Sequence, residues 1–202
     1  MKCLYKGKVG RLLLRCSKAI FREDVVIVYF HSQASQNPFV GEVKLTRGGI
    51  DQLKSLSLLS DYKDVFAIKN IKIAIEREKM GDYVYLAWFR GKCVHIAWAG
   101  SRAVISADEV GHKAAIKLNN PGLLVYDCWT PPKYRGQGIY PNVLRQIILD
   151  RPGKDGVWIY SRDNNQASTI GILKAGFVPT YRMERRRVLL VWERARVTRK
   201  GM

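Results

Sequence analysis

The sequence predicts a mixed α/β fold, with strands and helices alternating along one chain. Three observations carry that expectation. Short runs rich in β-branched and aromatic residues, such as 25–30 (VVIVYF) and 93–99 (CVHIAWA), have the composition of buried strands. Apolar residues spaced by three and four in 46–59 and 139–148 have the period of helices. Glycine and proline turns separate these runs. No internal repeat or low-complexity linker divides the 202 residues.

The elements follow in order. Residues 9–22 place Val9, Leu12, Leu13, Cys16 and Ile20 on one helical stripe and Arg11, Arg15, Lys18 and Arg22 on another. Such a basic amphipathic helix can pack on its own domain, lie on an anionic membrane surface, or bind RNA. Residues 25–30 form a strand. A helix over 46–59 has Thr46 as its cap and Ile50, Leu53, Leu56 and Leu59 at threes. Residues 65–80 read as a second helix ended by Gly81, although the IKIAI core also alternates like a strand. Strands at Tyr83–Phe89 and 93–99 flank the turn Arg90-Gly91-Lys92, a hairpin signal. The strand 123–130 (LLVYDCWT) stops at Pro131-Pro132. A glycine turn, Arg135-Gly136-Gln137-Gly138, leads into a helix with Ile139, Val143, Leu144, Ile147 and Ile148 on one side and Pro141 in its first turn. The strand 157–160 and the helix 165–174, closed by Gly176, come next. Two strands, 177–181 and 188–192, finish the domain, with Arg185, Arg186 and Arg187 at the turn between them.

Charge is unevenly spread. The chain has 35 Lys and Arg against 17 Asp and Glu, a formal net charge of +18. Residues 1–22 hold seven basic residues and no acid, and 182–202 hold eight basic residues and two acids. The expected organisation is a basic amino-terminal segment (1–22), a nearly balanced domain (23–193) and a basic carboxy-terminal tail (194–202). Charge confined to the ends suggests a docking device, with an anionic membrane as its partner, more than a nucleic-acid protein. Cys3, Cys16, Cys93 and Cys128 form no CxxC pair and have no histidine at ligand spacing. They are expected to be free thiols in a reducing cytoplasm, with no metal site. No run approaches the ~18 apolar residues that a membrane-spanning helix needs.

A strand that runs into Arg-Gly-x-Gly and then a helix has a physical use. Glycines fold the backbone tightly and expose consecutive N–H groups. Together with the positive end of the helix dipole, those amides form an anion site, and Arg135 adds a guanidinium fork suited to phosphate. The spacing is neither GxxxxGK[ST] nor GxGxxG. Pro132-Lys133-Tyr134-Arg135-Gly136-Gln137-Gly138-Ile139, followed after one helix and one strand by Asn165-x-x-Ser168 and Lys174-x-Gly176-Phe177, resembles the two coenzyme-binding motifs of the GNAT superfamily of acyl-CoA-dependent N-acyltransferases. The likeness covers about residues 122–180.

The resemblance implies a central, mostly antiparallel sheet with a splayed strand pair, flanked by helices. It also implies acetyl-CoA as acyl donor. Arg135, Gly136 and the amides of Gln137, Gly138, Ile139 and Tyr140 would hold the pyrophosphate. Trp129 and Thr130 would meet the pantetheine arm, and Asn165 and Ser168 would contact the cofactor from the next helix. The acceptor amine would attack the thioester directly. Two positions depart from the pattern: Tyr140 stands where the loop has its last glycine, and Ile172 where many members have an acidic tyrosine. Tyr181, Tyr160 or a water are then candidates for the acid.

The amine must lose a proton to react. Asp127 interrupts an otherwise apolar strand, and burial there would raise its pKa and suit it as a base. The other choice is an Asp bonded to its neighbouring loop. His95 is either a core histidine or an acceptor-site residue. Trp98, with Trp129, is either core or an aromatic wall for a sugar. Three functions stay open. The first is acetylation of an amino sugar in bacterial cell-surface polysaccharide or lipid-linked glycan assembly, by a cytoplasmic enzyme resting on the inner membrane face. The second is acetylation of a protein or ribosomal component. The third is an inactive ligand-binding domain of the same fold.

Overall fold

The computed structural model describes residues 21–32, 43–57, 68–107, 110–111, 114–150, 156–188 and 192–200. In chain order these form β1 (Phe21–His31), β2 (Lys44–Gly48), α1 (Ile50–Ser57), α2 (Ile68–Lys79), β3 (Tyr83–Phe89), β4 (Lys92–Ile105) and β5 (Ile116–Trp129). Then come α3 (Ile139–Leu149), β6 (Val157–Arg162), α4 (Gln166–Lys174), β7 (Val178–Val188) and β8 (Trp192–Arg199). The eight strands make one sheet in the order β2-β3-β4-β5-β6-β1-β7-β8. Only the β5–β6 pair among these described strands is parallel. That pair needs a crossover, which α3 supplies.

Alternation along the strands sends side chains to two faces. On one face Tyr85, Ala97, Leu123, Val125, Ile159, Ile27 and Tyr29 pack beneath Val143, Leu144 and Ile147 of α3 and Ile172 of α4. On the other face Val84, Leu86, Ile96 and Trp98 meet Leu53 and Leu56 of α1 and Ala74 of α2. Farther along the same face, Val26, Val28, Leu124 and Met183 are covered by Ile105, Val110, Ala114 and Ile116. Each fully buried aliphatic side chain contributes about 1.5–3 kcal/mol relative to exposure.

The β5–β6 ladder is short. It registers Leu123 with Val157, Leu124 with Trp158 and Val125 with Ile159, and goes no further, although β5 continues to Trp129 and β6 to Arg162. At that point β5 carries a bulge: its pairing with β4 passes from Tyr126–Trp98 to Trp129–Ile96, one residue more on β5 than on β4. Asp127 inside the bulge has φ +45°. The bend carries the end of β5 away from β6, which is the splay that the resemblance implied.

Several expectations need correction. The helix expected over 46–59 begins at Ile50, because Lys44–Gly48 pair with β3 as β2. Thr46 is opposite Leu86 and accepts from the Trp88 indole at 2.9 Å. Gln52 closes the start of α1 instead, accepting the Gly49 N–H at 2.9 Å. The three arginines expected at a turn lie within β7. Arg186 and Arg187 bond Glu23 and Asp24 of β1 at 2.8 and 3.1 Å, so partners on another strand override their turn-like composition. The basic tail expected from 194 is the edge strand β8, which pairs with β7 from Val188–Trp192 to Tyr181–Arg199. Phe21 and Arg22, assigned to the amphipathic helix, begin β1. The rest of that helix lies outside the described residues.

Candidate active site

After β5 the chain makes a short 3-10 turn, Pro132–Tyr134, and reaches the glycine loop. Gly136 and Gly138 have φ of +75° and +72°, and Gly138 is the residue that caps α3. Only glycine adopts such angles without strain. The loop is held from inside. Gln137 Nε2 donates to the Lys133 carbonyl at 3.0 Å, and Arg135 Nε donates to the Thr130 carbonyl at 2.9 Å. The first amides of a helix have no intrahelical acceptor. Those of Gly138, Ile139 and Tyr140 therefore stand at the positive end of α3, suited to a diphosphate.

Opposite the loop stands α4. Asn165 caps it, its Oδ1 accepting the Ser168 N–H at 3.1 Å. Between the loop, α4 and the end of β5 is a cleft of about 520 Å³. Trp129, Thr130, Arg135, Gly136, Gly138, Ile139, Tyr140, Asn165 and Ser168 all line it, with His95 and Cys128 at its inner end. Gln137, grouped with these residues in the sequence, is exposed and does not line the cleft.

His95 is 1% exposed. Its Nδ1 lies 2.7 Å from Thr130 Oγ1, and its ring stacks on Tyr140 with centroids 5.4 Å apart. Its Nε2 is buried with no hydrogen-bond partner among the described residues. Burial pushes its pKa down to about 3, so the ring is neutral at physiological pH. It is a buried core histidine that also lines the cleft.

Three other candidates lie elsewhere. Asp127 is not buried: its side chain is 56% exposed and paired with Arg77 of α2. The bulge turns it out of the apolar strand pattern and toward Arg77, so the buried position expected of it is not found. Trp98 is packed on the α1–α2 face, with the Arg77 guanidinium 5.1 Å from its ring centroid, and does not line the cleft. Tyr181 stacks on Trp158 on the face away from α3 and α4, with centroids 6.1 Å apart, and is also outside the cleft.

No protein-family model matches the sequence, and no curated protein is similar to it. Solved structures do match. An acetyltransferase of the GNAT family from Colwellia psychrerythraea superposes with a TM-score of 0.54 at 14% identity, over 86% of this chain and 60% of that one. The fold is that of the GNAT acetyltransferases. A conserved protein of unknown function from Staphylococcus epidermidis superposes with a TM-score of 0.52 at 12% identity, over 91% of this chain and 68% of that one. This chain thus spans about 60% of the length of the Colwellia protein.

On this GNAT fold, the residue whose side chain sequence reasoning missed is Tyr140. It was counted only for its amide and as a departure from the loop pattern. Its ring enters the cleft, packs on Gly171 of α4 and brings its hydroxyl to 3.4 Å from Ser168 Oγ. The available signal was the pairing of a bulky residue in the first turn of α3 with a glycine in the middle of α4. Ile172, at the position of the absent tyrosine, is fully buried in the core. Among the described residues, no three His, Cys, Asp or Glu side chains are grouped to hold a metal ion, and no helix is long and apolar enough to cross a membrane.

Proposed function

We propose that the chain is an N-acetyltransferase that moves an acetyl group from acetyl-CoA to a primary amine by direct attack. The observation that carries this is the coincidence of the splay with the anion site. The cleft begins where β5 leaves β6, and its mouth is the amide-rich start of α3. A diphosphate at that start, with Arg135 beside it, would direct the pantetheine arm along Trp129 and Thr130. Holding thioester and amine together would supply most of the acceleration. The acceptor is assigned to the other side of β5, beside the Asp127–Arg77 ion pair, and the proton its nitrogen loses passes to solvent water. An amino sugar of glycan assembly is the acceptor class we favour, on the strength of the cationic amphipathic stretch 9–22 in the sequence.

A binding-only domain is the second reading, and the Tyr140 ring, which narrows the cleft against Gly171, favours it. Calorimetry with acetyl-CoA, followed by thiol release in the presence of aminated nucleotide sugars, separates the two. Saturable binding that Gly138→Val weakens about 100-fold is expected, because a β-branched residue at φ +72° strains the loop and crowds the amides. No binding at millimolar acetyl-CoA would overturn the acetyltransferase proposal. Binding without thiol release for any amine would favour the second reading.

A further inference from the structure

Breaking a thioester leaves a sulfur that must gain a proton. Few groups at the inner end of the cleft can give one. Ile172 has no dissociable proton and is fully buried. Neutral His95 directs one nitrogen at Thr130. Tyr140 is different. It leaves α3 from the second residue of the helix, and three other elements surround its ring. His95 of β4 stacks on it, and Gly171 of α4 has no side chain where a Cβ would collide with it. Its hydroxyl lies 3.4 Å from Ser168 Oγ of α4, and it lines the cleft together with Cys128 of β5. Cys128 adjoins Trp129, at the end of β5 that leaves β6. The phenol therefore sits where the pantetheine arm would end.

We propose that Tyr140 gives its hydroxyl proton to the departing sulfur of coenzyme A, the part that Ile172 cannot play. This inference rests on the acetyltransferase reading. In the step, the amine nitrogen forms a bond to the carbonyl carbon. The C–S bond breaks with its electron pair on sulfur, and the Tyr140 proton moves to that sulfur. The proton that nitrogen loses returns to the Tyr140 oxygen through solvent. The products are an amide and a free thiol, and nothing is oxidised or reduced. Burial raises the pKa of both partners. The Tyr140 hydroxyl is pushed well above its ordinary value, chiefly by desolvation, and the adjacent Cys128 thiol is pushed up to about 12 for the same reason. A thiolate at this depth is a stronger base than in water, so a phenol that stays protonated at neutral pH can still serve it.

Tyr140→Phe removes the hydroxyl and keeps the ring, its stacking and the backbone amide. Calorimetry should show acetyl-CoA bound within about threefold of the unaltered protein, which also reports that the variant folds. The thiol of bound coenzyme A, followed by thiolate absorbance, should titrate about one pH unit higher in the variant, because a charge-assisted hydrogen bond to the thiolate is lost. The kcat with acetyl-CoA should fall about 100-fold. With an acetyl ester of an aryl thiol, whose leaving group needs no proton, the defect should shrink below tenfold. A kcat within threefold of the unaltered protein, an unshifted thiol titration, or an equal defect with both donors would overturn the inference while leaving the acetyltransferase reading intact. Failure of the unaltered protein to bind acetyl-CoA would overturn both.

Discussion

Two parts of the sheet, the cleft side and the far edge, are held together differently. The cleft half, β5-α3-β6-α4, comes from one stretch of chain, 116–174, and its decisive features are local: the positive φ of Gly136 and Gly138, and the Asn165 cap. The other half, β1-β7-β8, joins strands far apart in sequence, with Phe21 opposite Val188 and Val28 opposite Tyr181. Its contacts include ion pairs between strands: Asp24 receives Arg187 at 3.1 Å and Arg185 at 3.7 Å, and Glu23 receives Arg186 at 2.8 Å. The difference teaches that a ligand site can be built by short-range turn chemistry, while the strands that support it depend on pairings no local signal announces.

The sharpest way to break this comparison is to ask whether the halves unfold separately. Leu144→Ala in α3 and Met183→Ala in β7 each remove a side chain with 0% exposure and should each cost about 2–5 kcal/mol. Because β1 is hydrogen-bonded to both β6 and β7, both variants should show one urea transition at a lower midpoint. Two resolved transitions would mean that the far half folds by itself.

A second test reads the floor of the cleft by pH, through His95 of β4. His95 is held neutral by burial, with its pKa lowered to about 3 in the folded chain from an ordinary 6.5. Below pH 6.5 the unfolded chain binds a proton that the folded chain refuses. The contribution of neutral His95 is therefore complete above about pH 6.5 and is lost as pH falls toward 3, by at most ~1.4 kcal/mol per pH unit. His95→Gln should flatten that part of the slope in urea titrations at pH 7, 5.5 and 4.5. A difference between the two proteins that does not change with pH would show that the imidazole is not kept neutral.

The smallest effect is expected on the far half. Arg186 and Arg194 stand directly opposite each other on β7 and β8, an arrangement of like charges that costs a little. Arg194→Thr should change stability by less than about 0.5 kcal/mol, in the stabilising direction, by thermal unfolding. A loss above 1 kcal/mol would show that this arginine is held in an ion-pair network.

Much of the cleft half was legible. The glycine loop, α3 and α4 fall close to where turn chemistry and apolar spacing put them, because those signals act within a few residues. Asp127 and Tyr140 show where that logic stops. Its place in an otherwise apolar strand predicts a buried Asp127, but the bulge adds a residue opposite β4 and turns the carboxylate toward Arg77. The Tyr140 side chain gains its surroundings only when Gly171, on a different helix, comes against it. In the far half, three consecutive arginines have the composition of a turn and proved to be strand, because Glu23 and Asp24 face them across the sheet.

By itself, then, the sequence determined the order of strands and helices around the cleft and the loop that can hold a diphosphate, since both follow from backbone preferences of neighbouring residues. Tertiary structure alone decided that the first strand enters the sheet between β6 and β7, that the charged end is an edge strand, and which side chains meet inside the cleft. Those outcomes depend on burial and on partners more than a hundred residues apart, and residues so distant leave no pattern in one another's neighbourhood.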